Sequence, residues 1–299
     1  MDMLINMVRA LINEKYDTFK IKSIGGYFHM SYFEAFLLGL IQGLSEFLPI
    51  SSTALMLMTQ RLLDISIGED FKLAFETFLH IASVLAVIFY FRQELLNILQ
   101  DFWSYSKEKN NDSKSNYQFT ILIFISTITT IGIMTFLETN IGETFTTPET
   151  VAVSLITSGF LLILIEHGLS PGNRSHKDLT WKDAIIIGFG QVASLIPGIS
   201  RTGSSLFLAL SLRINKQTAL RYTIILSIPV FFGMSIVKLP ELIRSYKETQ
   251  LLALSIAFIT SFLSALVGIK WIISLVEHTR LTFFACFCIA FGSLYWASL

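Results

Sequence analysis

Charge is the first thing this sequence is short of. Only 15% of its 299 residues are Asp, Glu, Lys or Arg, against roughly 25% in an ordinary soluble chain. That scarcity argues against a soluble globular enzyme and against disorder. Cysteine is scarcer still. Cys286 and Cys288 are the only two, which excludes a disulfide scaffold. Two apart on a helix, they point in different directions, so neither a local bridge nor a metal site is favoured. Seventeen glycines and six prolines exclude a collagen-like chain. No sign of charge is in excess, with 22 basic and 22 acidic residues, so no global field points to a nucleic-acid partner. Apolar residues fill the chain instead: 53% are hydrophobic, 26 of them Phe, and mean hydropathy is +0.62. The fold class this implies is an all-α polytopic membrane protein.

Residues 1–30 carry Arg9, Glu14, Lys15, Asp17, Lys20 and Lys22, without an uninterrupted apolar core or a small-residue cleavage site. They do not read as a signal peptide. Residues 1–30 read as an N-terminal extension with Met30 as an alternative start, and 31–299 as one membrane domain. Long apolar runs at 73–91, 118–137, 150–166, 219–237, 250–270 and 281–298 approach the ~20 residues a helix needs to cross ~30 Å of hydrocarbon. Two further stretches, 33–63 and 184–212, are interrupted by Pro49-Ile50-Ser51-Ser52-Thr53 and by Pro197-Gly198-Ile199-Ser200-Arg201-Thr202. Broken helices at membrane depth need protein or a water-filled cavity around the freed backbone. Each stretch therefore reads as a re-entrant hairpin.

The two hairpins are copies. A shift of 149 residues puts Ala35 on Ala184, Gly39 on Gly188, Gln42 on Gln191, Ser45 on Ser194, Ile50 on Ile199, Ser51 on Ser200 and Thr53 on Thr202. Matched Gln, Ser and Thr carry more weight in apolar sequence than matched aliphatics. A hairpin returns to its own side and three full spans separate it from its copy, so the second enters from the opposite face. The expected architecture is an inverted repeat, about 31–166 and 180–299, each a re-entrant hairpin plus three spans: six full spans in all. Such repeats place their site near the midplane, where the broken tips converge. The loops at 92–117 (Arg92, Lys107, Lys109, Lys114) and 167–182 (Arg174, Lys177, Lys182) are basic, whereas 138–149 has no Lys or Arg. The positive-inside rule puts the basic loops in the cytoplasm.

Ionisable groups in apolar segments are costly, roughly 2.5–3.5 kcal/mol on insertion scales, and are functional candidates by default. Glu46 shares a helical face with Gln42 and leads into the first break. Arg201 sits in the second, among Ser200, Thr202, Ser204 and Ser205. This combination suits phosphate: half-helix N–H groups, hydroxyls and a guanidinium all donate to phosphate oxygens, while Gly198 and Gly203 allow close backbone approach. A carboxylate at Glu46 would repel an anion unless it binds a cation or handles a proton, so Mg²⁺ or Ca²⁺ between Glu46 and a diphosphate is the expected cofactor. The alternative is a buried Glu46–Arg201 salt bridge. Glu76 and His80, also one helical turn apart, are candidates for proton transfer, or else for an interhelical hydrogen bond. Lys270, Glu277, His278 and Arg280 lie at span ends, where long side chains snorkel; His167 and His176 read as solvated.

At these residues the sequence resembles a known family. Gln42-Gly43-Leu44-Ser45-Glu46-Phe47-Leu48-Pro49-Ile50-Ser51-Ser52 is similar to the Glu/Gln-x-x-x-Glu motif of the undecaprenyl-diphosphate phosphatase, or bacitracin-resistance, family. Pro197-Gly198-Ile199-Ser200-Arg201-Thr202-Gly203 resembles its second motif, and Phe75–Arg92 also has its look. The resemblance spans about 31–298. It implies a plasma-membrane enzyme, with its site opening outward, that removes the terminal phosphate of undecaprenyl diphosphate and so recycles the carrier for peptidoglycan and envelope glycans. Catalysis then falls to Glu46, Gln42, Ser52 and Arg201, with Glu46 also in the metal position. Substrate binding falls to Ser51, Gly198, Ser200, Thr202, Gly203 and Ser205. The partner is the polyprenyl diphosphate lipid, and a homodimer is a candidate assembly. One departure is plain: the family usually has His where this chain has Leu55, and leucine neither moves a proton nor binds metal. Either Glu46 or His80 serves as base, or the protein is a non-hydrolytic polyprenyl-phosphate transporter or flippase.

Overall fold

The computed structural model describes residues 30–65, 67, 69–141, 147–170, 172–245, 251–278 and 281–299. Residues 1–29 of the N-terminal extension and Arg280 lie outside them. The described residues form eleven α-helices with short 3₁₀ and π turns and no β-strand. The first hairpin is α1 (Tyr32–Glu46) and α2 (Ser52–Leu62). There follow α3 (Glu69–Tyr90), α4 (Arg92–Glu108), α5 (Lys114–Ile141) and α6 (Pro148–Ile163). The second hairpin is α7 (Trp181–Val192) and α8 (Arg201–Ser211), followed by α9 (Lys216–Ser245), α10 (Leu251–Glu277) and α11 (Thr282–Ala297).

The helix starts repeat with the sequence. At α1, Ser31 Oγ accepts the Glu34 N–H while Glu34 accepts the Ser31 N–H. At α7, Thr180 and Asp183 make the same reciprocal capping box, satisfying backbone donors that the helix itself leaves free. Ser51 caps α2 and Ser200 caps α8, each hydroxyl accepting a backbone N–H three residues on. The helix therefore begins at Arg201 itself, earlier than the apolar stretch from Leu206 suggests.

The hairpins pack in a matched way. Helix α1 lies along α10, with Gly39 against the Ala257 backbone; α7 lies along α5, with Gly188 against the Ser126 backbone. A Cβ at either glycine would overlap a carbonyl oxygen of the facing helix. Helices α6 and α11 pair, as do α3 and α9, and the buried apolar core runs through both hairpins, including Phe47, Leu48, Leu206 and Tyr222.

Among the described residues, four helices are long and apolar enough to cross a membrane: 111–137, 148–168, 216–236 and 251–277. A fifth is counted if Ala74–Tyr90 and Arg92–Glu108, bent by 77°, form one span. This is a multi-pass membrane protein. The run at 281–298 forms the 16-residue α11, about 24 Å long at 1.5 Å per residue and shorter than those four. The stretch 92–117 is not a loop: most of it is α4, whose polar composition hides a helix with few buried residues.

Candidate active site at the two hairpin tips

At the first tip, one helical turn puts Gln42 and Glu46 on the same face of α1. The Gln42 amide nitrogen donates to Glu46 Oε2 at 2.6 Å. Ser52, the first residue of α2, donates its hydroxyl to the same oxygen at 3.0 Å. Helix α3 contributes His80, whose Nδ1 is 2.8 Å from the Gln42 amide nitrogen and 3.7 Å from Glu46 Oε2. With Gln42 donating, Nδ1 accepts and the ring proton sits on Nε2. Gln42, Glu46 and His80 are all buried, so carboxylate, amide, hydroxyl and imidazole form one connected group within the protein.

At the second tip, Arg201 is the first residue of α8. Its Nε donates to Ser194 Oγ at 3.3 Å, its guanidinium carbon lies 3.9 Å from the centroid of the Phe231 ring, and its Nη1 is buried without a hydrogen-bond partner. Glu46, Ser51, Ser52, Thr53, Ser194, Ser200 and Arg201 line one small polar hollow between the tips. Carboxylate and guanidinium border it from opposite hairpins, and no ion pair joins them.

The other predicted residues divide into two groups. Ser51 Oγ accepts the N–H groups of Ala54 and Gly198. Ser200 Oγ accepts the Gly203 N–H and donates to the Leu48 carbonyl at 3.5 Å. Thr202 donates to the Glu46 carbonyl at 3.4 Å. These hydroxyls stitch one tip to the other. Gly198 has φ +109°, a backbone state favouring glycine. Its carbonyl accepts from Ser158, so it is a turn-maker whose polar groups are already engaged. Gly203 sits in the first turn of α8, against the Ser200 side chain. Ser205 Oγ is buried and unpartnered, though Ser205 does not border the hollow.

Glu76 is also outside the hollow, one turn along α3 from His80, with Oε1 buried and unpartnered. Leu55 packs against the apolar core.

Three contributors were not anticipated. Ser194 supports Arg201, and its match to Ser45 across the repeat was an available signal. Ser158 joins α6 to the second tip by accepting the Ser200 N–H at 3.2 Å and donating to Gly198 O at 2.8 Å. Phe231 lies in an apolar run and carries no sequence mark.

The chain also matches known proteins over most of its length. The family model described as bacitracin resistance protein BacA matches residues 35–294. Undecaprenyl-diphosphatase 2 of Halalkalibacterium halodurans is 42% identical over 263 residues, covering 87% of this chain and 94% of that protein. Undecaprenyl-diphosphatase 1 of Shouchella clausii is 38% identical over 262 residues, 87% of this chain and 93% of the relative. Undecaprenyl-diphosphatase of Oceanobacillus iheyensis is 32% identical over 265 residues, 87% and 94% of the two chains. With the family match running from the first hairpin almost to the C-terminus, the chain belongs to the bacitracin resistance protein BacA family.

Proposed function

We propose that this protein hydrolyses undecaprenyl diphosphate to undecaprenyl phosphate and inorganic phosphate in the plasma membrane, with its site opening to the outer face. The observation that carries the reading is the shared hollow: the Glu46 carboxylate and Ser52 hydroxyl on one side, backed by Gln42 and His80, and a partly unpartnered guanidinium on the other. The relatives' names favour hydrolysis over transport. The architecture proposed for it is an inverted repeat of about 31–166 and 180–299, each a hairpin plus three passes. Matched caps, matched glycine crossings and the paired packing of α1 on α10 and α7 on α5 support this.

In this reading Arg201 binds the diphosphate and stabilises charge on the phosphoryl group in flight, which is where phosphoryl transfer gains most from a protein. Ser52 Oγ, already donating to Glu46, attacks the terminal phosphorus. The Oγ–P bond forms, the bond to the bridging oxygen breaks, undecaprenyl phosphate leaves, and the hydroxyl proton passes to Glu46. Water then cleaves the phosphoserine, releasing inorganic phosphate and restoring Ser52. Gln42 orients Glu46 and His80, and His80 is the neighbouring proton acceptor, so the chain does not need an imidazole at position 55. Glu76, one turn further along α3, is the next acceptor in line.

Mg²⁺ or Ca²⁺ fits this donor set only as a bridge to substrate. Glu46 is the one carboxylate lining the hollow, and among the described residues no group of three His, Cys, Asp or Glu side chains could hold a metal. Glu46 would contribute one oxygen, with phosphate oxygens and water completing the shell. When bound, such an ion neutralises diphosphate charge.

Phosphate release by purified protein tests the reading. Wild type should release phosphate, lose activity to chelator and regain it with Mg²⁺ or Ca²⁺. Ser52→Ala should fall by about a thousandfold or more, and His80→Ala by about a hundredfold. Lipid binding without release overturns hydrolysis. Full turnover in Ser52→Ala or in His80→Ala removes that residue from its role.

A further inference from the structure

Arg201 presents an electrostatic problem. A buried cation normally takes a carboxylate partner, because leaving it unpaired is expensive. Here the partner would also cancel the charge that the diphosphate needs. The side chain makes one hydrogen bond, from Nε to Ser194, and its Nη1 makes none. What it has instead is the face of Phe231, a fully buried ring on α9, 3.9 Å from the guanidinium carbon. An aromatic face attracts a cation through its quadrupole without neutralising it. The same ring meets the imidazole of His80 in a T-shaped contact, with centroids 4.5 Å apart and planes at 69°. One apolar side chain therefore touches the cation of the second hairpin and a member of the acid–base group at the first.

We infer that Phe231 is a positioning residue of this site. Its ring holds the guanidinium of Arg201 uncancelled for a diphosphate, and the same ring keeps His80 against Gln42 and Glu46. The inference rests on the functional reading above for the identity of the ligand. It extends that reading in saying how the anion grip is kept ready. A residue that only filled volume at position 231 would be insensitive to the electronic character of its ring.

The test is a series of phenylalanines at position 231 carrying one, two and three ring fluorines, introduced by nonsense suppression in the full-length protein. Fluorination drains the quadrupole and nearly preserves shape. The dissociation constant for undecaprenyl diphosphate and KM should rise stepwise, to about 10- to 30-fold for the trifluoro ring, while kcat changes less. Phe231→Leu should weaken binding similarly and Phe231→Trp should restore it. If Phe231→Leu fails to fold, the fluorinated series still decides. Constant affinity across that series overturns the inference. Protein that binds the lipid with fluorine-dependent affinity but releases no phosphate would keep the inference and defeat the hydrolytic reading. Protein that binds no lipid defeats both.

Discussion

The hairpin at 32–62 and the hairpin at 181–211 start from the same capping box and turn on the same serine cap, yet hold different chemistry at equivalent places. Gln42, Glu46 and Ser52 in the first correspond to Gln191, Leu195 and Arg201 in the second. Their outer ends differ as well. The second is clipped shut: Arg174 donates to both carboxylate oxygens of Asp183 and to the carbonyls of Leu212 and Asp178. Among the described residues the first is bordered instead by an open groove of about 430 Å³ lined by Leu57, Gln60, Arg61, Asp64, Ile65 and Lys72. Duplication supplied one scaffold twice. On the proposed reading, divergence made one copy the acid–base half and the other an anion grip.

Gln42 and Gln191 sharpen that contrast most, because the residue is the same. Gln42 bonds Glu46 and His80, whereas Gln191 is fully buried with neither amide atom hydrogen-bonded. Gln42→Leu should therefore lower kcat/KM for phosphate release by about a hundredfold. Gln191→Leu should leave kcat/KM within about twofold and raise the unfolding temperature, since an unmade buried hydrogen bond costs about 1–3 kcal/mol. Equal loss of activity in both variants would break the comparison.

A smaller effect is expected at the clip. Arg174→Ala should destabilise the protein by about 2 kcal/mol, read as a lower unfolding temperature in detergent, with little change in kcat for the protein that remains folded. The adjoining turn has a pH signature. Asp178 is held below the ordinary carboxylate pKa by the Ser175 backbone N–H first and then by its hydroxyl. The turn's contribution is thus present at neutral pH and disappears as pH falls through that lowered value. A clip variant as stable as wild type would mean that the second hairpin is anchored elsewhere.

The hairpins, their relationship and their charged tips were legible in the sequence because polar residues stand out against an apolar background. Ser51 and Ser200, or Gln42 and Gln191, can be matched there; a Leu on an Ile cannot. The same contrast hid the rest. Phe231 is one Phe among 26, and only the fold reveals that it meets Arg201 and His80. Helix α4 was concealed because a polar helix with one buried residue, Ile98, lacks the apolar run by which a span is recognised. Ser51, Ser200 and Gly198 were read as ligand-binding from residue type and family resemblance. Their hydrogen bonds also cap helices and join the tips, because a broken helix must satisfy its own backbone. Leu55 marked a missing imidazole and His80 was named as a substitute, but only the fold sets His80 beside Gln42 and Glu46.

The central claim, that Glu46 and Arg201 act from opposite hairpins on one diphosphate, is tested most directly by a double-mutant cycle on kcat/KM for phosphate release from undecaprenyl diphosphate. Glu46→Gln and Arg201→Ala should each lower it by roughly a thousandfold, and the double variant should be little worse than either single one, as for groups acting as a unit. Wild-type turnover in either single variant, or losses that simply multiply in the double, would contradict it.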